Sequence, residues 1–251
     1  MNPLLHYDPD NPYPESDGEP MAENTEQYAW LVKIKENLEI IFSDRDDVFI
    51  AGDLFWYPVP DRRITGPVAP DVMVAFGRPK GKRKSYLQWE EEDIAPQVVF
   101  EILSPANSRW EMANKLRFYD LYGVEEYYIY DPERNDLEIW LRQGNGRLEK
   151  ISHLKGWVSP RLQIRFVLTP DTLLIHAPDG RPFLNSVELA RQVETAAALA
   201  EQEAQRANQE AQRANQEAQR ANQEAQRAAE ERARAERLAE RLRCLGLDPN
   251  D

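Results

Sequence analysis

The chain has 251 residues, 41% of them hydrophobic and 30% charged, and its formal net charge is −13. That length supplies one good core plus an appendage, and the surplus of acids argues against a general nucleic-acid coat protein while leaving room for an enzyme that works on nucleic acid through a local basic patch and a divalent ion. No run approaches the roughly 18 apolar residues of a bilayer span, residues 1–20 lack the basic-then-apolar order of a secretory signal, and a single cysteine, Cys244, leaves no intrachain disulfide or multi-cysteine zinc site, so a reducing cytoplasm is the expected location.

Residues 1–22 combine Pro3, Pro9, Pro12, Pro14 and Pro20 with acids and predict a disordered N-terminal arm. Thr25 is placed to cap a helix. Tyr28, Leu31, Val32, Ile34, Leu38, Ile41 and Phe42 then recur at helical spacing and predict an amphipathic helix over about Glu26 to Phe42. Val48 to Val59 has strand character, and Val68 to Phe76 is the next strand. A basic, glycine-bearing loop follows at Arg78, Lys80, Lys82, Arg83 and Lys84, and the acids from Glu90 to Asp93 read as a solvated loop.

Val99-Phe100-Glu101-Ile102-Leu103 is an apolar run with a single carboxylate in its middle, which predicts a strand over Gln97 to Leu103 buried on both faces. Asn107 or Ser108 can cap a helix from about Arg109 to Tyr122, which Gly123 ends. Met112, Leu116 and Tyr119 form its apolar stripe. Strands are expected at Glu126–Tyr130 and Leu137–Leu141, the latter turning at Gly144-Asn145-Gly146 into Leu148–Leu154. Leu162–Val167 and Leu173–Phe183 complete a mainly β segment that ends near residue 185.

From Glu188 to Arg243 there is neither glycine nor proline, and the heptad Glu-Ala-Gln-Arg-Ala-Asn-Gln begins at Glu203, Glu210 and Glu217. A seven-residue period with alanines at steps of three and four predicts a long helix over 186–251. Two readings fit it: a solvated alanine-rich single helix, or a coiled coil that makes a homodimer, weakened by the small area each alanine buries. Leu238, Leu242 and Leu245 strengthen the far end.

The chemistry-bearing residues sit on the two central strands. Glu101 lies in the middle of an apolar strand, where an ionised and unpaired carboxylate is costly. A cation, a metal ion or water in a cleft must meet it. Asp71, after Pro70 and before Val72-Met73-Val74, is a second acid in a similar setting. Two acids on apolar strands with a lysine downstream suggest an oxygen-ligand metal site. The alternative for Glu101 is a structural ion pair with Arg109, Lys115 or Arg117, and for Lys115 a stem that merely follows the helix edge. Asp53, beside Gly52, and Glu39, on the first helix, are weaker candidates, as is Tyr119. The basic loop from Arg78 to Lys84 could hold a phosphate backbone or be a solvated surface loop.

Pro70-Asp71 followed by Glu101-Ile102-Leu103 on a later strand resembles the PD-(D/E)XK nuclease superfamily pattern. The segments APDVMVAFGRPKGKRKSY, PQVVFEILSPANS and KLRFYDLYGVEEYYIYDP resemble, more particularly, the Uma family of putative restriction endonucleases, over about residues 23–185. The resemblance implies an α/β fold, with a restriction-endonuclease-like mixed central sheet flanked by helices. It also implies magnesium- or manganese-dependent cleavage of phosphodiester bonds, DNA being the expected partner. In that scheme Asp71, Glu101 and the backbone carbonyl of Ile102 hold the metal. A lysine stabilises charge or positions the water. The superfamily lysine sits two residues after the acid, where side chains share a face. Here that position is Leu103, and the family pattern moves the lysine to Lys115 on the following helix. The competing expectation is an inactive scaffold that binds a partner or self-associates through its helical arm.

Overall fold

The structure, a computed structural model, describes residues 13–15 and 24–244, without the side chains of Leu242 and Arg243. The arm predicted over 1–22 otherwise lies outside the described residues, as does Leu245. The chain divides into two compact units, Met1–Glu188 and Leu189–Asp251.

The first unit is built on a six-stranded mixed sheet. Its strands are β1 (Val48–Gly52), β3 (Val72–Phe76), β5 (Val98–Ile102), β6 (Glu126–Asp131), β7 (Asp136–Arg142) and β8 (Leu148–Lys150), in the spatial order β1-β3-β5-β6-β7-β8. Within this sheet only β5 and β6 pair in parallel. A parallel pair needs a long crossover, and the helix α2 (Arg109–Tyr122) supplies it. Ser108 caps α2 by accepting the Glu111 amide, and Gly123 ends it at φ 97°, a conformation that favours glycine. Two small sheets complete the unit: β2 (Trp56–Tyr57) pairs with β4 (Tyr86–Leu87), and β9 (Arg165–Leu168) with β10 (Leu173–His176).

Period-two alternation sends the strand side chains to two cores. On one face Val72, Val74, Val98, Phe100 and Tyr128 pack against Trp30, Leu31, Ile34 and Leu38 of α1 (Thr25–Ile41) and against Phe166 and Ile175 of the β9–β10 hairpin. On the other, Met73, Ala75, Val99 and Tyr127 pack against Phe118 and Tyr119 of α2, and Trp56 stacks on Tyr119 with centroids 6.2 Å apart. The sheet is thus sandwiched between its helices, the mixed α/β architecture expected.

Some boundaries move. Asn24, not Thr25, caps α1, because its carboxamide oxygen reaches the Gln27 amide at 2.8 Å. The strand expected over Val48–Val59 breaks at Asp53, whose φ of 48° turns the chain out of the ladder. The acids at Glu90–Asp93 are not all solvated. Glu91 is buried between Arg78 and Arg83.

The second unit consists of most of α3 (Ser186–Cys244), a 59-residue helix whose heptad alanines are exposed among the described residues. No helix among the described residues is long and apolar enough to cross a membrane.

Candidate functional site

The register between β3 and β5 pairs Val72 with Phe100. Continued by one residue, it sets Asp71 directly across from Glu101, on the α2 face of the sheet. Facing side chains in an antiparallel pair leave their strands about 5 Å apart. Asp71 is 7% exposed and Glu101 3%. The loop that carries Asp71 is held from below by Asp53, whose amide donates to the carbonyls of Pro70 and Asp71 at 3.1 and 3.2 Å.

Each acid is anchored. Asp71 Oδ2 accepts the Ile102 amide at 2.6 Å. Glu101 Oε2 accepts Lys115 Nζ at 2.8 Å, and Oε1 accepts the Tyr119 hydroxyl at 2.5 Å. Lys115 and Tyr119 are four residues apart on α2 and so project from one face, which is why one helix can take both oxygens. Gln27, in the first turn of α1, donates to the Ile102 carbonyl at 3.1 Å and hydrogen bonds the Asp71 carboxylate.

Burial, and then the Glu101 charge, push the Asp71 carboxyl up to about 7, against the opposing pull of Lys115, the Ile102 amide and Gln27. Burial works against the Lys115 ammonium, yet Glu101 and Asp71 together hold it above its ordinary range. Burial, then Glu101, raise the Tyr119 phenol well above its ordinary value. Two acids confronting each other, with the negative charge incompletely neutralised, is the electrostatic setting in which a cation is favoured.

Beside them lies Tyr127 on β6. It is 0% exposed, and its ring meets Tyr119 edge-on with centroids 4.9 Å apart. Its hydroxyl has no hydrogen-bond partner among the described residues. Burial, then the charges of Glu101 and Asp71, push this phenol well above its ordinary value. An unsatisfied buried hydroxyl costs ~1–3 kcal/mol relative to one that is paired.

The donor set fits a hard divalent cation. Among the described residues no cluster of three or more His, Cys, Asp or Glu side chains is present, so the acids number two. Two carboxylates and a backbone carbonyl suit magnesium, which keeps several waters and completes its shell with phosphate oxygens.

The other predicted residues fall elsewhere. Glu39 lies twelve residues beyond Gln27 on α1, about 18 Å along the helix, and pairs with Lys35 at 3.7 Å. Asp53 contributes its backbone to the Asp71 loop. In the basic loop, Arg78 and Arg83 both pair with Glu91, and Arg83 lies 3.9 Å over the Phe49 ring. Burial opposes the Glu91 charge, but the two arginines hold its carboxyl below the ordinary range. Lys80 Nζ donates to the carbonyls of Phe42 and Ser43. Lys84 meets Glu15 at 3.5 Å with most of its side chain in solvent, and Lys82 is exposed. Three of the five cations therefore hold the fold together.

Gln27 and Tyr127 were absent from the sequence reading. Gln27 had a signal: it stands three, four and seven residues before Trp30, Leu31 and Ile34, a polar group on the apolar stripe of α1. Tyr127 had only the general expectation that a buried tyrosine finds a partner for its hydroxyl.

A mixed sheet flanked by helices makes the first unit an α/β domain. The family model described as Uma2, putative restriction endonuclease, matches residues 10–169. The chain belongs to that family. Among solved structures, it is similar to a putative nuclease belonging to DUF820 from Anabaena variabilis ATCC 29413. The identity is 16% and the TM-score 0.41, over 57% of this chain and 74% of that one. No curated protein matches it.

Proposed function

We propose that this protein is a metal-dependent endonuclease that hydrolyses phosphodiester bonds of DNA. The observation that carries the reading is Asp71 set across from Glu101 with the Lys115 ammonium 2.8 Å from the latter. Asp71, Glu101 and the Ile102 carbonyl would hold Mg²⁺ or Mn²⁺. When bound, the cation supplies Lewis acidity toward the scissile phosphate. The Ile102 amide and Gln27 orient Asp71, and Tyr119 orients Glu101. Lys115 provides positive charge for the phosphate as charge builds on it. Lys82 and Lys84, exposed on their loop, are the cations of that segment suited to the DNA backbone.

The test joins a Mg²⁺ titration by calorimetry to plasmid cleavage, on the wild type and Asp71→Ala. The expected result is cation binding and nicking by the wild type, with both lost in the variant. Equal cleavage by the two proteins would rule this site out.

A second reading concerns assembly and rests on α3. Its heptad alanines, Ala204, Ala207, Ala211 and Ala214 among them, form one exposed seam. We propose that this seam pairs two copies of the chain in a coiled coil. Sedimentation of the full chain should give a dimer, and Ala211→Glu with Ala214→Glu should give monomers, because charges in the seam face each other. A monomeric wild type at tens of micromolar would contradict the pairing.

A further inference from the structure

Glu101 has no free oxygen: Lys115 takes one and Tyr119 the other. An ammonium and a divalent cation repel strongly at one carboxylate oxygen. Cation uptake by the reading above therefore strains the Lys115 bond to Glu101, and a neighbouring donor is called for to steady the carboxylate in its new arrangement. Tyr127 is placed for this. The β5–β6 register pairs it with Val99, so Glu101 is its diagonal neighbour on the same face of the next strand. Asp71 is further away, in the loop immediately before β3. The Tyr127 hydroxyl is buried, lies against Tyr119, and has no partner among the described residues.

We infer that Tyr127 is a positioning residue whose hydroxyl donates to the Glu101 carboxylate in the cation-loaded site and keeps it aimed toward Asp71. The inference rests on the metal-dependent reading. It gives Tyr119 and Tyr127 different tasks: Tyr119 already holds Glu101 in the unloaded site, and Tyr127 adds its donor once the cation is bound. A tyrosine kept only for its ring would do as well as phenylalanine in both.

The experiment is a Mn²⁺ titration by calorimetry with thermal melts in EDTA, on the full chain, Tyr127→Phe, Tyr119→Phe and Asp71→Ala. Tyr127→Phe should melt in EDTA at or above the wild-type temperature, because it loses no bond there, while binding Mn²⁺ about tenfold more weakly, the loss typical of a group that orients a metal ligand. Tyr119→Phe should melt lower in EDTA. A Tyr127→Phe affinity within about threefold of wild type, below that usual range, overturns the inference. So does a weaker affinity accompanied by a lower melting temperature in EDTA, which marks a structural defect. Absence of Asp71-dependent Mn²⁺ binding in the wild type brings down the metal reading and this inference together. Wild-type binding with an unaltered Tyr127→Phe brings down this inference alone.

Discussion

Lys115→Met is expected to destabilise the metal-free protein by about 3 kcal/mol, in the range for removing one partner of a buried ion pair. Glu101 is 3% exposed, and the Lys115 side chain 19%. Methionine keeps the length and apolar stem of the lysine, so packing changes little. What is lost is the counter-charge 2.8 Å from Oε2, leaving a desolvated carboxylate with only the Tyr119 hydroxyl. A double variant separates this from a general packing defect. Adding Glu101→Gln to Lys115→Met should recover much of the loss, because the buried charge is gone. Urea melts of the two variants and the wild type measure it. A penalty untouched by Glu101→Gln would mean that the lysine contributes through its stem alone.

Asp71→Asn should do the opposite and stabilise the metal-free protein. In the folded chain the Asp71 carboxyl sits at about 7, against about 3.9 for an unfolded aspartate. The folded state therefore binds this proton more tightly than the unfolded state does between roughly pH 4 and pH 7. Stability from this group is complete below the unfolded value and is lost as pH rises through the folded one. Asparagine keeps an oxygen for the Ile102 amide and has no charge to desolvate. Its advantage should be close to zero near pH 4, grow through pH 7, and level off at a few kcal/mol above pH 8, on the order of the roughly three-unit displacement. Melts in EDTA across that window are the measurement, and a gap that does not change with pH would show that burial and Glu101 do not raise the Asp71 carboxyl. On the metal-dependent reading proposed above, adding Mg²⁺ at pH 8 should reverse the ranking, because a ligand of the folded state stabilises only the protein that binds it.

These two results would cut at different bonds of one cluster, and the cluster was only partly legible beforehand. Glu101 stood out because a carboxylate in the run Val99-Phe100-Glu101-Ile102-Leu103 contradicts its surroundings. The ends of α2 were readable because Ser108 and Gly123 carry their capping chemistry in their own backbones and side chains. The Gln97–Leu103 and Glu126–Tyr130 strands were readable because continuous apolar runs of that length suit a buried sheet. The break at Asp53 was not, since Val48 to Val59 keeps its apolar character across the turn. Nor was the fate of the basic loop. Charge count alone made five equivalent cations of Arg78, Lys80, Lys82, Arg83 and Lys84, whereas the fold buries Glu91 between two of them.

The sequence by itself determined the family, the alternation of buried strands and capped helices, and the two acids that do not belong in an apolar sheet, because each of these is a local property of residue type and spacing. Tertiary structure alone decided that Asp71 stands across from Glu101, that Lys115 and Tyr119 divide that carboxylate between them, that Gln27 reaches in from α1, and that the Tyr127 hydroxyl is left over. Those relations depend on strand register and on which face a helix turns to the sheet, and both are set by the packing of residues far apart in the chain.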